Sequence, residues 1–325
     1  MKRTTRHVTS VLAVSLVFPT TAALAQSTYP TKPIRMLVGF APGGGTDLTA
    51  RVIAQKLDEA FGQRVIVDNR PGASQIIASE LTARANPDGY TVLMSAAGLT
   101  INPAFNSKLP FDTLRDLGAI AMVARAPNVL VVTPGGSART VKDIIALAKA
   151  KPGQIAYGSG GVSAPSHVSG ALFAAMAGVQ LTHVPYKGTG PAMIDLLSGQ
   201  LPIAFPDMTA ALAHIKSGRI PAIAVTTRDR FALLPAVPTV AESGLPGYEC
   251  SSWFGMVGPA GIPNPVVAKL NETINRVLKT PEVRDLLTTQ GLAAVGGSAE
   301  EFAATISTEL VKWKKLVVSA GLKTE

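Results

Sequence analysis

Apolar residues in this chain gather in short unbroken runs separated by amphipathic stretches, the alternation expected of buried strands and crossover helices. The run Ile34-Arg35-Met36-Leu37-Val38-Gly39-Phe40 predicts a buried strand, which Pro42-Gly43-Gly44-Gly45 breaks. Ala50, Ile53, Ala54, Leu57 and Phe61 then fall on one helical face, predicting a helix from Thr46 that Gly62 ends. Val65-Ile66-Val67 is a second strand, Arg70-Pro71-Gly72 a turn, and a helix follows to about Ala85. Asn86-Pro87-Asp88-Gly89 turns the chain into a third strand, Thr91–Ser95. Strand, helix, strand, helix, strand is the doubly wound arrangement, for which a parallel sheet and right-handed crossovers are expected.

The pattern restarts after Arg125-Ala126-Pro127. Val129–Thr133, Ile155–Gly158, Thr182–Tyr186, Ile203–Phe205 and Ile223–Thr227 read as short strands. Helices at Thr140–Ala150, Ser166–Ala177, Ala192–Ser198 and Thr209–Ser217 separate them. A proline-rich stretch from Leu234 to Gly247 leads to a strand around Ser252–Val257. Three helical patterns close the chain, at Pro265–Leu278, Pro281–Thr289 and Ala299–Ala320. No repeat of 20–50 residues stands out. Two α/β units of comparable size describe the whole.

Composition narrows the class. With 47% hydrophobic and 16% charged residues in 325, the chain carries enough apolar surface for two cores and is not of the disordered type. Lys2, Arg3 and Arg6, the apolar run Val8–Phe18 and the small residues Ala23-Leu24-Ala25 form a secretory signature. That run is far short of the ~20 residues a membrane span needs. Cleavage after Ala25 is therefore expected, leaving 300 of 325 residues and, with three Lys/Arg removed, a formal charge falling from +9 to +6. The cations are scattered and only 5% of residues are aromatic, which argues against nucleic acid as a partner. A general attraction for small anions and simple solubility both accommodate this charge. Cys250 is the single cysteine, excluding an internal disulfide and any multi-thiolate metal site.

Candidate chemistry sits in turns. Pro42-Gly43-Gly44-Gly45-Thr46-Asp47 joins a buried strand to a helix, where unpaired N–H groups and the helix dipole favour an anion. It lacks both the dinucleotide fingerprint, because Leu48 stands at the third glycine, and the Gly-Lys-Ser/Thr ending of a phosphate loop. A tight turn capped by Thr46 or Asp47 is an equally available reading, and Asp47 with Arg51 is spaced for an ion pair. Gly158-Ser159-Gly160-Gly161-Val162-Ser163-Ala164-Pro165-Ser166-His167 holds the corresponding place in the second unit. Two such turns suit a cleft closed over one ligand. His167 is open to three roles: a hydrogen bond at the helix start, a ligand contact, or a base. Neither Ser159 nor Ser163 has the Gly-x-Ser-x-Gly frame of a nucleophile elbow, and no close metal-ligand spacing involves His167, His183 or His214. Lys187, in Tyr186-Lys187-Gly188-Thr189-Gly190-Pro191, is either an anion attractor or a solvated lysine. Asp207 either faces the cleft or caps the next helix.

Tyr29-Pro-x-Lys32-Pro33-Ile34 followed by Pro42-Gly43-Gly44-x-x-Asp47 and Arg51 resembles the extracytoplasmic solute-binding proteins of tripartite tricarboxylate transporters, the Bug or TctC-like family. Arg70-Pro71-Gly72-Ala73, Pro87-Asp88-Gly89-Tyr90-Thr91, Gly158-Ser159 through His167, and Val184-Pro185-Tyr186-Lys187-Gly188 continue the likeness. Ala224-Val225-Thr226, Val237-Pro238-Thr239 with Glu242 and Gly244, and Pro259-x-Gly261-x-Pro263 extend it along the mature chain. Where members often read Gly-Ala-Gly-Gly-Asn, this chain has Gly72-Ala73-Ser74-Gln75-Ile76, so side chains replace two glycines in a loop that bears on ligand choice.

The resemblance implies a type II periplasmic-binding-protein fold, two doubly wound α/β lobes joined by two crossing strands near Asn128–Thr133 and Ser252–Val257. Lobe 1 would comprise 26–127 plus 252–325, and lobe 2 would comprise 128–251. It further implies a small mono- or dicarboxylate gripped largely by backbone N–H groups and water, without cofactor, metal or catalysis. On lobe 1 the expected contacts are Phe40, Ala41, Pro42, Gly43, Gly44, Gly45, Thr46 and Asp47, with Ser74, Ser95 and Ala96. On lobe 2 they are Gly160, Gly161, Val162, Ser163, Ser166 and His167, with Tyr186, Lys187 and Asp207. A periplasmic monomer serving membrane permease subunits is expected. Signalling to a membrane sensor is the alternative, and a secreted hydrolase using His167 with Ser163 or Ser166 is a remote one.

Overall fold

The computed structural model describes residues 29–319 and 321–322; the expected leader, 1–25, lies outside them. Two sheets organise the chain. In the first, β1 (Ile34–Val38), β2 (Val65–Asn69) and β3 (Thr91–Ala96) are parallel, alternating with α1 (Gly45–Phe61) and α2 (Ile76–Ala83) as the apolar runs predict. After α3 (Gly98–Phe105) comes β4 (Leu117–Pro127), which the sequence pattern does not announce.

From Asn128 the chain enters the second sheet as β5 (Val129–Val132). It continues through α4 (Val141–Ala150), β6 (Ala156–Ser159), α5 (Pro165–Ala177), β7 (Thr182–Pro185) and α6 (Thr189–Leu197). Next come β8 (Ile203–Ala204), α7 (Met208–Lys216) and β9 (Ala222–Val225). It returns to the first sheet as β10 (Ser251–Pro259), and α8 (Asn264–Lys279), α9 (Pro281–Thr289), β11 (Ala293–Ala294) and α10 (Ala299–Ser319) complete it. The strand orders are β11-β4-β10-β3-β1-β2 and β7-β6-β8-β5-β9.

Neither sheet is wholly parallel, which departs from the doubly wound expectation. β10 runs antiparallel to both β3 and β4, and β5 antiparallel to both β8 and β9. These are the strands at the passage between lobes: a chain that leaves one sheet and comes back must traverse both in the opposite sense at that point. Asn128 marks the passage and is fully buried. Its N–H donates to Thr226 Oγ1 at 2.9 Å, its Nδ2 donates to the Phe205 carbonyl at 2.8 Å, and its Oδ1 accepts from Ser252 Oγ at 3.0 Å. Both polar atoms of this side chain thereby have a partner, as a buried amide requires.

One apolar cluster runs under α1, α8 and α9 on one face of the first sheet, including Met36, Ile53, Leu57, Phe254 and Leu270. Another continues from Leu37, Phe105, Trp253 and Trp313 into Leu130, Tyr157 and Phe205, so apolar contact crosses from one lobe to the other. Among the described residues no helix is long and apolar enough to cross a membrane.

Candidate functional site

In α/β sheets the carboxyl ends of parallel strands leave backbone groups and helix N-termini facing a common crevice. Here the ends of β1, β2 and β3 on one lobe face the ends of β6, β7 and β8 on the other. Two cavities lie between them, both touching Phe40 and Gly160.

The inner cavity, about 30 Å³, has room for roughly one water. Its walls bring together the first residues of three helices, Gly45 and Thr46 of α1, Pro165 and Ser166 of α5, and Thr189 of α6, beside Asp207. None of those three helices carries a side-chain N-cap from its own chain segment, whereas α4 is closed by a Thr140–Asp143 capping box. Asp207 fills the gap. Its carboxylate caps α7 by accepting from the Ala210 N–H at 3.1 Å, accepts from Thr189 Oγ1 at 2.7 Å, and takes a hydrogen bond from the Gly45 N–H across the lobe boundary. Complete burial raises its pKa above the ordinary carboxylate value, and these hydrogen bonds only partly offset that. No cation pairs with it among the described residues. The anion favoured at the start of α1 is already present, and it belongs to the protein.

The larger cavity, about 310 Å³, is of ligand size. Gly39, Phe40, Gly72, Ala73, Ser74, Ile76, Phe105 and Asn106 wall it from one lobe, and Gly160–Ser163 with Pro185, Tyr186 and Lys187 from the other. Residues Ala73, Ser74 and Gln75 all have positive φ (45°, 48° and 71°), a region unfavourable to L-residues. Gln75 locks this turn: its Nε2 donates to the Ala96 carbonyl at 3.0 Å, and its Oε1 accepts from Ser95 Oγ and the Ala96 N–H. Gly39 makes room, since a Cβ there would lie 2.1 Å from that of Gln75. Asn102 ties the turn across the cleft, its Nδ2 donating to the Ser74 carbonyl at 2.9 Å while Ser163 Oγ donates to its Oδ1. The Ala41 N–H donates to the Lys187 carbonyl at 2.8 Å, a further direct contact between lobes.

Of the residues expected from sequence, Phe40, Gly44, Gly45, Thr46, Ala96, Gly160, Ser166 and Asp207 border the inner cavity. Phe40, Ser74, Gly160, Gly161, Val162, Ser163, Tyr186 and Lys187 border the larger one. Ala41, Pro42, Gly43, Asp47, Ser95 and His167 border neither. Ala41, Pro42 and Gly43 lie against Gly188–Gly190 of the opposite lobe. Asp47 is buried and accepts from Arg51, from Asn69 and from the Gly43 N–H; burial opposes its ionisation, but these bonds outweigh it and its pKa falls. The ion pair with Arg51 expected from spacing is present at 3.0 Å. Ser95 is engaged by Gln75.

His167 turns away from the cleft. Its Nδ1 accepts from the Ser163 N–H at 3.1 Å and its ring stacks on His183 at 4.1 Å, of the three roles the one at the helix start. Burial, then the neighbouring His183, pushes its pKa down to about 3, and burial pushes His183 to about 4. Both imidazoles are neutral at physiological pH. His183 Nε2 is 2.6 Å from Ser159 Oγ, but neither residue borders either cavity, and among the described residues no acidic partner orients either ring. No group of three or more His, Cys, Asp or Glu able to hold a metal occurs among the described residues. The expected contacts omitted Asn128, Ala164, Pro165, Thr189, Ser252 and Phe254 at the inner cavity and Gly39, Gly72, Ala73, Ile76, Phe105, Asn106 and Pro185 at the outer. Thr189 had a local signal in the turn that carries Lys187, and Ile76 one in the altered loop 72–76.

Two α/β lobes meeting over a ligand-sized cavity at their strand ends define a two-lobe solute-binding protein. The family model for the tripartite tricarboxylate transporter family receptor, TctC, matches residues 49–322. Protein BugT of Bordetella pertussis is 36% identical over 323 residues, covering 98% of this chain and 99% of its own. The structure of R. palustris Rpa4515 with adipate superposes with a TM-score of 0.89 at 34% identity, over 91% of this chain and all of that one. MatC (Rpa3494) from Rhodopseudomonas palustris with bound malate gives 0.84 at 28% identity, over 89% and 100%. The chain belongs to the TctC/Bug family of periplasmic solute-binding proteins, and is a binding protein rather than an enzyme.

Proposed function

We propose that this protein captures a small organic carboxylate in the 310 Å³ cavity between its lobes and delivers it to the permease subunits of a tripartite tricarboxylate-type transporter. The carrying observation is that this cavity is walled by strand-end turns of both lobes and that no Asp or Glu lines it, while Lys187 does. The adipate and malate bound by structural relatives support the carboxylate class. Residues 26–127 with 252–325 act as one lobe and 128–251 as the other, exported as a monomer after cleavage behind Ala25. The carboxylate sits in the larger cavity rather than at the start of α1, because Asp207 occupies that helix end.

The mechanism is differential binding. A ligand touching both walls favours the closed arrangement by its extra contacts there. Charge-assisted hydrogen bonds contribute about 1.5–3 kcal/mol each, so three to five can supply the about 8 kcal/mol of micromolar affinity once closure costs are met. The test is calorimetry with adipate, malate, succinate and phenylacetate, backed by mass spectrometry of whatever copurifies. Binding of a carboxylate is the expected result. Folded protein that binds none, and carries no acid from the cell, refutes the reading.

A further inference from the structure

The two cavities differ in charge. The inner one encloses the Asp207 carboxylate. The larger one has Lys187 as its only lining cation and no lining acid, and Lys187 forms no ion pair with a described residue. Behind its wall Asp195 is engaged, accepting from the Tyr186 hydroxyl at 2.5 Å.

One wall group is unsatisfied. Ser74 is 5% exposed, yet its Oγ has no hydrogen-bond partner. A buried hydroxyl without a partner is costly and calls for an explanation. Gln75 and Asn102 pin the left-handed turn that carries it, so the side chain is held at this position. Across the cleft, Gly161 gives it space: a Cβ there would stand 2.5 Å from Ser74 Oγ. The orphan hydroxyl therefore lies between the lobes, covered on the Gly161 side, on a residue that walls the cavity a ligand would fill.

We propose that Ser74 determines specificity: its hydroxyl pairs with a ligand oxygen, and the cavity admits carboxylates that lack an ammonium group while refusing their amino-acid counterparts. This rests on carboxylate capture as the function. A hydroxyl can donate to a carboxylate, ketone or alcohol oxygen. An ammonium entering this cavity would lose water, find no lining carboxylate, and share the space with Lys187.

The test measures by calorimetry three matched pairs, succinate with aspartate, adipate with 2-aminoadipate, and phenylacetate with phenylglycine, against the wild type and Ser74→Ala. The expected result is that at least one parent acid binds and its amino counterpart binds at least about tenfold more weakly. Ser74→Ala should weaken that acid about three- to tenfold, in keeping with one lost hydrogen bond. The melting temperature of unliganded Ser74→Ala should stay level or rise, because no partner is lost. An amino acid that binds as tightly as its parent, an unchanged affinity in Ser74→Ala, or a lowered unliganded melting temperature overturns the inference and leaves carboxylate capture standing. Silence from all six with folded protein that carries no acid from the cell removes both.

Discussion

The stacked pair His167–His183 makes a quantitative claim about acid stability. In the unfolded chain each imidazole has its ordinary pKa of about 6.5. In the folded chain burial holds them near 3 and near 4. Below pH 6.5 the unfolded state therefore binds two protons that the native state does not, and native stability falls with pH. The loss begins near 6.5 and continues until the folded values are reached. Linkage gives about 1.4 kcal/mol per pH unit for each group, hence about 5 kcal/mol for the pair between pH 7.5 and 4.5. That is comparable to the whole stability of many domains, about 5–15 kcal/mol.

The matched perturbation replaces each ring by the amide that preserves its hydrogen bond. Asn at 167 retains an acceptor near Nδ1 for the Ser163 N–H, and Gln at 183 retains a group near Nε2 for Ser159. Urea, which adds no ionic strength, would be used to unfold the wild type and the His167→Asn/His183→Gln variant at pH 7.5, 6.5, 5.5 and 4.5. The wild type should lose several kcal/mol that the variant keeps. Asp207, whose raised pKa works in the opposite sense, is common to both and cancels. Parallel stability curves over this range would refute the assignment of neutral buried histidines.

Three further outcomes are expected. Asn128→Ala leaves the Phe205 carbonyl and Ser252 hydroxyl without their partner and should cost about 2–3 kcal/mol in urea unfolding, with Asn128→Asp only partly restoring it because one donor becomes an acceptor. Gly39→Ala forces its Cβ into the backbone-anchored start of Gln75 and should lower stability by about 1–3 kcal/mol, while ligand affinity measured by calorimetry falls as the Ser74 turn shifts. Asp207→Ala removes the acceptor shared by Gly45, Thr189 and Ala210, and small-angle scattering of the unliganded protein should show a larger radius of gyration if that carboxylate helps hold the lobes together.

What the sequence disclosed follows from which forces are local. The runs that became β1, β3, β6 and β10 are apolar and bounded by glycine or proline, and α1, α8 and α10 keep one apolar face. β4 escaped notice because it is buried on both faces and rich in alanine, so it shows neither alternation nor strong strand propensity. Its partners β10 and β11 lie more than a hundred residues away. α3 was hidden by Pro103 in its interior. The site divides the same way. The turns at 42–47 and 158–167 are visible as glycine clusters, but their allotment is not: Asp47, Ser95 and His167 each serve a neighbour instead of the cavity. That allotment depends on Gln75, Arg51 and Ser163 pointing where only the assembled lobes allow.

Asp207 shows why such a site can be built around an anion and still bind another. Helix N-termini from both lobes converge on the inner cavity, and an empty cluster of that kind would attract any small anion without discrimination. By placing its own carboxylate there, lobe 2 satisfies the start of α1 when the lobes meet and removes that helix end from competition. Parting the lobes would uncap α1 and return Asp207 to water, so this contact favours closure independently of the ligand. The burial that raises the pKa of Asp207 opposes it. On the proposed reading, a ligand adds the contacts of the larger cavity to shift the balance, and its identity would be decided where Ser74, Ser163 and Lys187 stand rather than at the helix start that first attracts attention.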